Sequence, residues 1–411
     1  MSTMKVVLVA DGRSTITRSW LACLNVSQVE IYLVSTFPCE KPELVKEMIV
    51  LPVAFSSFAG GQVGLSASNK PKSRLHGARA AMREILLAVR YLLGPATLPR
   101  YKQEYLSFLE ATQADIVHAM RIPFEGMLAS FTPPQIPLVV STWGNDLTLH
   151  AQGSAGMRKW TRRTFQRADG LLADATRDLE LADRWGFKKD LPKLMIPGNG
   201  GLDITFFEKL KKKKRINLPY LKDRKYHIVN PRGFRPGSVH QDVFFRSLPK
   251  ILDEIADIQF LCPAMQDQPK AERWVRELGV QEQVCLLPYL PQQELWELYH
   301  NADIYISLSS HDGTPNTFLE AIACGCFPIV GDIASLREWV EYGKTGMLID
   351  ATDVDQVVKA VLAALRSDKL RAEAKPLNWS ILQKNADRQK IRVKVLDFYQ
   401  DVIQRGHHPS A

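Results

Sequence analysis

Two acidic residues stand eight positions apart in the segment SSHDGTPNTFLEAIACGCFPIVGD, which runs from Ser309 to Asp332. Asp312 lies in a loop of small polar residues, and Glu320 lies inside the helix that follows this loop. The unpaired N–H groups and the positive dipole at the start of a helix suit a phosphate, while carboxylates accept hydrogen bonds from paired sugar hydroxyls. Two acids on either side of a phosphate site therefore indicate a site for a sugar nucleotide.

The sequence also predicts where this helix begins and ends. Thr314 is the expected N-cap and Pro315 the expected first helical residue, where its missing N–H costs nothing. Gly325 is a common type of residue at the end of a helix, and Gly313 lets the backbone come close to a ligand. An ordinary capped helix with an acid in its loop is the alternative interpretation.

Short β-branched runs alternate with longer helical stretches along the 411 residues. Several runs are continuously apolar, which is typical of parallel strands that are covered on both faces. Strand–helix alternation in both halves predicts two doubly wound, Rossmann-like α/β domains. The predicted strands are Lys5–Ala10, Val29–Val34, Met48–Val53, Asp115–Ala119, Pro137–Thr142, Gly170–Ala173, Tyr226–Asn230, Ile258–Cys262, Val284–Leu287, Ile304–Leu308 and Phe327–Val330.

Two such domains that face each other form a central cleft at the carboxyl ends of their sheets, where open α/β sheets bind ligands. We place the division after the turn at Gly200-Gly201, so that the domains are residues 1–203 and 204–385. The run KKKKR at 211–215 favours a linker or an exposed helix end, and a nucleic-acid or nuclear-localisation segment is the alternative.

The positive charge is concentrated in the first half of the chain. Residues 1–200 carry 24 Lys and Arg against 17 Asp and Glu, whereas the remainder carries 29 against 27. A basic half suggests an anionic partner, which is a phosphorylated ligand, a membrane surface or nucleic acid. We expect a phosphorylated ligand and no nucleic acid.

The composition is that of a globular protein, with 45% hydrophobic and 24% charged residues. No apolar run reaches the roughly 18 residues of a membrane-spanning helix, and MSTMKVVLVADGR reads as a strand that enters a turn rather than a signal peptide. A cytoplasmic location is expected. The six cysteines have no regular spacing, and the pair Cys324 and Cys326 lacks the further ligands of a metal site, so packed thiols without metal are expected.

The Ser309–Asp332 segment closely resembles the nucleotide-sugar site of retaining GT-B glycosyltransferases, especially those of family 4. The usual form is an acid, Gly, two or three small residues that include Pro, Glu eight positions after the acid, and then A-x-A-C-G-x-P. The first acid is commonly Glu, so Asp312 departs from it by one methylene. The residues that carry the resemblance, or that it implies in donor binding, are Asp312, Gly313, Thr314, Pro315, Asn316, Thr317, Glu320, Ala321, Ala323, Cys324, Gly325 and Pro328.

The resemblance extends along most of the chain and implies further site residues. KVVLVADGRSTITRSWLACL looks like the family's first strand and turn, where Gly12 would approach the donor and the acceptor. LPYLPQQELWELYHNADIYISLS resembles the segment whose backbone at Tyr289 and Leu290 lines the base pocket. GKTGMLID is similar to the strand after the donor helix, and residues 386–411 look like a terminal helix that crosses back to the N-terminal, acceptor-side domain.

The segment after the fourth strand departs from the family. Many relatives carry His-x-His there, but this chain has His118 and Met120, followed by Arg121. His118 is a candidate for the chemistry, with structural packing as the alternative. Asp146, in WGNDL, is the carboxylate of the first domain that we expect in the cleft, and a helix cap is the alternative.

The resemblance implies a hexosyltransferase that retains the anomeric configuration, in which the leaving diphosphate helps to deprotonate the acceptor hydroxyl. The family supplies Arg and Lys to the diphosphate from a G-R-x4-K-G loop; Arg232 fits the arginine, but Gly237 stands at the lysine position. Arg235 is the nearest replacement, since a guanidinium binds phosphate in bidentate fashion, and His240 is less suited. No D-x-D occurs in the plausible loops, so neither a metal nor another cofactor is expected besides the UDP- or GDP-sugar substrate.

A helix predicted at 73–93, SRLHGARAAMREILLAVRYLL, suggests a second role. His76, Arg79, Arg83 and Arg90 fall on one side, and Ala78, Met82, Ile85, Val89 and Leu92 gather around another. The simpler interpretation is a surface helix whose apolar face packs on the core. Contact with anionic lipid at the inner face of a membrane is the alternative, and it would suit a lipid-linked acceptor.

The expected function is transfer of a sugar from a nucleoside diphosphate to a hydroxyl of a glycan or of a lipid-linked acceptor, as in polysaccharide biosynthesis. Two alternatives remain open at this point. One is a sugar-nucleotide epimerase or a phosphorolytic enzyme on the same fold, which the missing lysine keeps under consideration. The other is a non-catalytic protein that binds nucleotides or anions. The base, the sugar and the acceptor are not encoded in these patterns.

Overall fold

The structure of the protein is a computed structural model that describes residues 3–58, 88–235 and 237–407. The described residues form two compact units. Unit 1 contains residues 3–58, 88–201 and 388–407, and unit 2 contains residues 202–235 and 237–387. The C-terminal helix therefore belongs to the same unit as the first strand.

Unit 1 is built around a parallel sheet with the strand order β3-β2-β1-β4-β5-β6-β7. Its strands are β1 Met4–Ala10, β2 Val29–Ser35, β3 Glu47–Val50, β4 Ile116–Ala119, β5 Leu138–Thr142, β6 Gly170–Ala173 and β7 Lys193–Met195. Its helices are α1 Thr15–Leu24, α2 at 88–97, α3 Lys102–Thr112, α4 Met127–Ala129, α5 Ala155–Arg167, α6 Thr176–Arg184 and α15 Arg388–His407.

Unit 2 repeats the arrangement with the parallel strand order β10-β9-β8-β11-β12-β13. Its strands are β8 Tyr226–Val229, β9 Ile258–Cys262, β10 Val284–Leu286, β11 Ile304–Ser307, β12 Phe327–Gly331 and β13 Met347–Ile349. Its helices are α7 Ile204–Lys211, α8 Gln241–Glu254, α9 Pro269–Glu277, α10 Gln292–Asn301, α11 Asn316–Cys324, α12 Ala334–Arg337, α13 Val354–Arg366 and α14 Asp368–Asn385.

The strands are apolar throughout because both faces of each sheet are covered. In β1, Val7 and Val9 belong to one hydrophobic core, while Val6 and Leu8 belong to another on the opposite face. Tyr399 of α15 lies in the second of these cores, so α15 is part of the folded body of unit 1. This two-sided burial explains why the strands appear in the sequence as continuous apolar runs rather than as alternating ones.

Each of the predicted strands is present, with ends shifted by one to three residues in most cases. The largest difference is at β3, which ends at Val50 instead of Val53. Pro52 has no N–H to donate, and the N–H of Val53 turns back to the carbonyl of Leu51 instead of continuing the ladder. Strand β7 was missed because its three residues are only partly buried and carry a lysine.

The strand orders place a topological switch point in each sheet. The order reverses between β1 and β4 in unit 1 and between β8 and β11 in unit 2. Ligands of open α/β sheets bind beyond the carboxyl ends of the strands at such points. The residues that follow these four strands are therefore the first candidates for function in each unit.

Within the described ranges, no helix is both long enough and apolar enough to cross a membrane.

Candidate functional site

In unit 2, the loops that follow β8 and β11 are joined to each other by backbone hydrogen bonds. Val239 and Ser309 form an antiparallel bridge. The N–H of Ser310 donates to the carbonyl of Ser238 at 2.9 Å, and the N–H of His240 donates to the carbonyl of Leu308 at 2.9 Å. Because β8 and β11 flank the switch point, this bridge brings the Arg232 loop and the Asp312 loop together.

Arg232 and Asp312 form an ion pair at this place, between Nη2 and Oδ2. Arg232 is only 6% exposed, and its Nη1 also donates to Oγ1 of Thr317 at 3.3 Å. Burial alone would lower the pKa of Arg232, but the charge of Asp312 reverses the shift and raises that pKa. The Arg232 Nε is buried and has no hydrogen-bond partner among the described residues. The guanidinium is therefore a fixed cation with a donor still available.

Asp312 is held in place by contacts to its backbone and to its carboxylate. Its Oδ1 accepts from the N–H of Gly313 at 3.1 Å, and Oγ of Ser335 donates to its carbonyl oxygen at 3.0 Å. Oγ of Ser309 donates to Oδ2 at 3.4 Å. These contacts fix the carboxylate that pairs with Arg232, so the cation's position is determined by the loop as well as by its own strand.

Helix α11 begins one residue later than predicted, and Thr314 is not its N-cap. Pro315 occupies the N-cap position with φ −65° and ψ 129°, and Asn316 is the first helical residue. The hydroxyl of Thr314 instead accepts a hydrogen bond from Nε1 of Trp339 at 3.0 Å, so its lone pair is used outside the helix. The predicted end is confirmed, since Gly325 has φ +96° at the C-cap. The N–H groups of the first turn therefore have no side-chain cap from Pro315.

Glu320 lies inside α11 and is only 4% exposed. Its Oε1 accepts a hydrogen bond from Nε2 of Gln292 at 2.8 Å, which links α11 to α10. Burial raises the pKa of Glu320 to about 7, and the bond from Gln292 opposes the shift. A buried carboxyl group with a pKa near neutrality is a frequent property of binding and catalytic sites.

Gly331, at the end of β12, allows the Asp312 loop to approach the sheet. A Cβ at this position would lie 2.0 Å from the carbonyl oxygen of Ser309, which is a backbone atom that has no room to move. We expect Gly331→Ala to lower the free energy of unfolding by about 1–3 kcal/mol and to displace the loop, with a matching loss of nucleotide affinity. Urea unfolding and nucleotide titration measure the two effects.

Gly156→Ala is the matched control for this substitution, because a Cβ there would make an ordinary contact of 3.4 Å with Pro95. Gly156 lies in the first turn of α5, where alanine is a better helix former. The control should be neutral or slightly stabilising. Equal unfolding curves for the Gly331 and Gly156 variants would contradict the steric role of Gly331.

The other predicted donor-side residues of unit 2 lie in the segments that follow β8 and β10. Tyr289 is 53% exposed and Leu290 is 7% exposed, both just before α10. Nε2 of His240 lies 3.0 Å from Oγ of Ser310. Gly237, at the lysine position of the family, has φ +75°, a conformation that glycine adopts far more readily than lysine. The backbone conformation at this position therefore favours glycine over lysine.

In unit 1, Gly12 is explained by packing within the unit. A Cβ on Gly12 would lie 2.5 Å from Sγ of Cys39 and 2.9 Å from Oγ of Ser35. The N–H of Gly12 donates to the same Ser35 hydroxyl at 3.1 Å. A glycine is required here whether or not a ligand also approaches, and the predicted ligand contact stays a prediction.

His118 is buried, and both of its ring nitrogens are used by neighbours in unit 1. Nδ1 lies 2.6 Å from the hydroxyl of Tyr399, and Nε2 lies 2.7 Å from Oγ of Ser141. Burial lowers the pKa of His118 to about 3, so the ring is neutral at physiological pH. These contacts support structural packing, the alternative to a role in the chemistry, because neither nitrogen is left to contact a substrate.

His118 should make unit 1 sensitive to acid. Its pKa is lower in the folded state than its ordinary 6.5, so the unfolded chain binds a proton that the folded chain does not. The contribution of His118 to the free energy of unfolding is therefore fully present above pH 6.5. Below pH 6.5 it falls by about 1.4 kcal/mol per pH unit, down to the pKa of the folded state. Urea unfolding at several pH values between 7 and 5 gives the free energy of unfolding as a function of pH. This free energy should fall less steeply with decreasing pH in His118→Gln than in wild type, and an equal fall in both would contradict the assignment.

Asp146 is fully buried and forms the inner end of an ion pair. Its Oδ1 accepts from Nη2 of Arg121 at 2.5 Å, and its Oδ2 accepts from the N–H of Ile122 at 3.1 Å and from that of Trp143 at 3.4 Å. The predicted carboxylate thus caps backbone groups and positions Arg121, whose side chain is 34% exposed.

A polar pocket of about 220 Å³ lies at the switch point of unit 1, and sequence reasoning missed it. Asp11 follows β1, Arg121 and Glu125 follow β4, and all three line the pocket with Arg90 of α2. The signal available in the sequence was the presence of charged residues directly after two neighbouring strands. Arg90 could not be assigned to the same place because it comes from a helix that no motif connects to those strands.

Most of the helix predicted at 73–93 lies outside the described residues, which resume at 88. In the described part, the guanidinium of Arg90 lies 4.7 Å from the ring centroid of Phe124 within unit 1, not on an outward basic face. Val89 and Leu92 are 41% and 71% exposed. The expectation that their apolar face packs on the core is therefore wrong at these positions.

The six cysteines are free thiols, as expected. Cys324 and Cys326 are both buried, and the Sγ of Cys326 lies 3.1 Å from the carbonyl of Tyr299. In the part of the chain that the structure describes, no group of three or more His, Cys, Asp or Glu side chains is placed to hold a metal ion. The KKKKR run lies at the exposed end of α7.

Residues 241–376, all within unit 2, match the family model described as Glycosyl transferases group 1. This range contains α11 and the Asp312 loop but begins after Arg232. It lies within the half of the chain in which the donor motif was found.

Two curated relatives match parts of the chain. The O-antigen chain mannosyltransferase B of Escherichia coli is 31% identical over 116 residues, which are 26% of this chain and 28% of the relative. The GDP-mannose-dependent alpha-(1-6)-phosphatidylinositol monomannoside mannosyltransferase of Mycolicibacterium smegmatis is 30% identical over 145 residues, which are 33% of this chain and 37% of the relative. The chain thus spans only about a third of the length of these relatives.

Among solved structures, the sucrose-phosphate synthase of Thermosynechococcus elongatus matches with a TM-score of 0.70 and 14% identity, over 98% of this chain and 99% of the other. The match establishes the fold, which is that of GT-B glycosyltransferases. The predicted fold class of two Rossmann-like parallel α/β domains is therefore confirmed.

Proposed function

We propose that the protein is a glycosyltransferase that moves a hexosyl group from a nucleoside diphosphate sugar to a hydroxyl group. The observation that carries the proposal is the cluster of Arg232, Asp312 and Thr317 beside the start of α11, at the switch point of the unit 2 sheet. A buried guanidinium with a donor to spare, next to the open amino end of a nine-residue helix, is suited to a diphosphate.

In this proposal, each part of the donor has a place in unit 2. The diphosphate contacts Arg232 and the N–H groups of Asn316 and Thr317, and the backbone at Tyr289 and Leu290 lines the base. Glu320, as a carboxylate, accepts hydrogen bonds from hydroxyls of a ring. Asp312 holds Arg232 and lies close enough to the diphosphate to contact the transferred sugar.

The reaction breaks the bond between the anomeric carbon and the β-phosphate oxygen, and forms a bond from that carbon to the acceptor oxygen. The acceptor attacks the face of the sugar from which the diphosphate leaves, so that the configuration is retained. The acceptor proton passes to the leaving diphosphate, and no metal takes part. Arg232 stabilises the charge that develops on the leaving group. This course, and membership of family 4, rest on the resemblance of the Asp312–Glu320 segment.

Arg235 is proposed to supply the second cation to the diphosphate, because the family's lysine position is Gly237. The φ of +75° at Gly237 disfavours a lysine side chain there, which supports a cation from elsewhere in the same loop. A glycan or a lipid-linked acceptor is proposed, in keeping with the names of the mannosyltransferase relatives. Membrane contact through 73–93 is part of this proposal.

The proposal is tested by incubating the protein with UDP- and GDP-sugars, with and without a mixture of glycan and lipid-linked acceptors, and following release of nucleoside diphosphate. Acceptor-dependent release, in the presence of a chelator, supports a metal-independent transferase. Interconversion of the sugar nucleotide without acceptor would instead favour an epimerase. Binding without any conversion would favour the non-catalytic alternative.

A further inference from the structure

The polar pocket of unit 1 is lined by charged side chains that have no role in the proposed transfer from a donor bound to unit 2. Its volume of about 220 Å³ is below the roughly 300–1,000 Å³ of sites for drug-sized ligands. It is large enough for a charged group together with part of a sugar ring. Arg90, Arg121 and Glu125 line it, together with the aromatic side chains of Phe37 and Phe124.

One cation of the pocket, Arg90, forms no ion pair with a carboxylate among the described residues. Asp11 is matched by Arg13, whose Nε and Nη2 donate to its two oxygens at 3.0 Å each. Arg121 is matched by the buried Asp146. The Arg90 guanidinium lies instead over aromatic rings, 5.2 Å from the centroid of Phe37 and 4.7 Å from that of Phe124. Ring faces compensate a buried cation only in part.

Both arginines have hydrogen-bond donors to spare. The Nε atoms of Arg90 and Arg121 are buried and lack partners among the residues that the structure describes. A buried N–H group without an acceptor is unfavourable, because it has lost its hydrogen bonds to water. Burial lowers the pKa of Arg90, and the positive charge of Arg121 lowers it further, so an anion between the two would relieve both effects.

The acid in the pocket is buried and is already bonded to the backbone. Glu125 is 5% exposed, and its Oε1 accepts from the N–H of Asp11 at 3.1 Å. Burial raises the pKa of Glu125 well above its usual range, and the charges of Asp11 and Asp146 act in the same direction against that of Arg121. This shift favours the neutral form of Glu125. His150 is neutral, because burial lowers its pKa to about 4.

The backbone at the pocket is strained in the way that binding sites often are. Phe124, directly before Glu125, has φ +65° and ψ −45°, a conformation that residues other than glycine rarely adopt. Its ring is thereby placed beneath the Arg90 guanidinium.

We propose that this pocket binds the phosphate or carboxylate group of a sugar-sized ligand, held by Arg90 and Arg121. If this ligand is the acceptor, that identification rests on the proposed transfer reaction, whereas the anion site in unit 1 does not depend on it. The shared chemistry is an anionic group next to hydroxyls, and either a soluble sugar phosphate or a lipid headgroup provides it.

Calorimetric titration of the 411-residue chain tests the site with glucose 6-phosphate, glucuronate, inorganic phosphate and uncharged glucose. We expect the phosphorylated and carboxylated sugars to bind and glucose to bind far more weakly. Arg90→Gln should weaken the binding of glucose 6-phosphate by roughly 10- to 100-fold, as expected for a charged hydrogen-bonded contact. Arg121→Lys, which keeps the charge opposite Asp146, should weaken it less.

Arg158→Gln is the matched control, because it removes the same charge from an exposed position on α5. A parallel arm measures sedimentation with vesicles of phosphatidylglycerol in phosphatidylcholine. Arg90-dependent binding to the soluble sugars identifies a free anionic ligand, and Arg90-dependent binding to vesicles alone identifies a headgroup. Equal affinity of wild type and Arg90→Gln in both arms would overturn the proposal. Nucleotide titration of the same variants reports separately on unit 2.

Discussion

Replacing Arg232 with glutamine should reduce sugar transfer by roughly 10²–10³-fold, the usual effect of removing one donor from a developing oxyanion. Arg232 is the buried cation at the switch point of unit 2, and it is fixed by Asp312 and Thr317. A neutral side chain keeps the shape but cannot stabilise the negative charge that accumulates on the leaving diphosphate. The measurement is the rate of nucleoside diphosphate release at saturating donor.

Two further variants show whether the loss of activity comes from the lost charge, from the changed side-chain geometry or from a loss of structure. Arg232→Lys keeps the charge but loses the planar fork, so its activity should fall between that of wild type and glutamine. Arg246→Gln breaks an exposed pair with Asp242 on α8, where such pairs contribute little, and should leave the rate unchanged. Since breaking a buried pair costs about 3–5 kcal/mol, unfolding curves must show that each variant is folded at the assay temperature. A folded Arg232→Gln enzyme with wild-type turnover would remove Arg232 from the reaction.

Glu320 should make donor binding depend on pH, with affinity rising by about tenfold between pH 6 and pH 8. Burial raises its pKa to about 7, and only the carboxylate accepts hydrogen bonds from two hydroxyls. Glu320→Gln should bind the donor about as weakly at pH 8 as wild type does at pH 6, and Glu320→Ala should bind it more weakly still. Titration with a nucleotide sugar is preferred to free nucleotide, because its diphosphate has no group that ionises in this range.

The same shift predicts the opposite trend for stability without ligand. The folded pKa of Glu320 lies above its ordinary 4.5, so the folded state holds a proton that the unfolded state has lost. The free energy of unfolding should therefore decrease by up to about 3 kcal/mol as the pH rises from 4.5 through 7, and this contribution should disappear in Glu320→Gln. Glu294→Gln, an exposed change on α10, is the control. Nucleotide affinity that is unchanged in Glu320→Ala would contradict the proposed role.

The sequence was most informative where both faces of an element are buried. Strands such as Ile258–Cys262 were predicted to the residue, because a continuous apolar run between polar segments leaves few alternatives. The end of α11 was equally clear, since Gly325 has a left-handed conformation that few other residues adopt. Its start was not, because the hydroxyl of Thr314 bonds Trp339, a residue 25 positions away. Capping rules consider only the N–H groups of the first helical turn as partners of that hydroxyl.

The candidate site was predictable in unit 2 and only in part in unit 1. Asp312 and Glu320 belong to one continuous motif, and Arg232 was found through a second one. The pairing of Arg232 with Asp312 depends on two loops that are joined across the switch point, which strand order reveals and sequence does not. In unit 1, Arg90 and Glu125 are brought together by α2 and an irregular segment after β4, and no periodicity encodes such a juxtaposition.

The direct measurement of the central idea is a crystal structure of the protein with UDP or GDP bound. We predict that the diphosphate lies within hydrogen-bonding distance of Arg232 and of the N–H groups at the start of α11, with the ribose or sugar hydroxyls near Glu320. A nucleotide bound elsewhere, with the segment from Gly313 to Glu320 free of contact, would contradict the account.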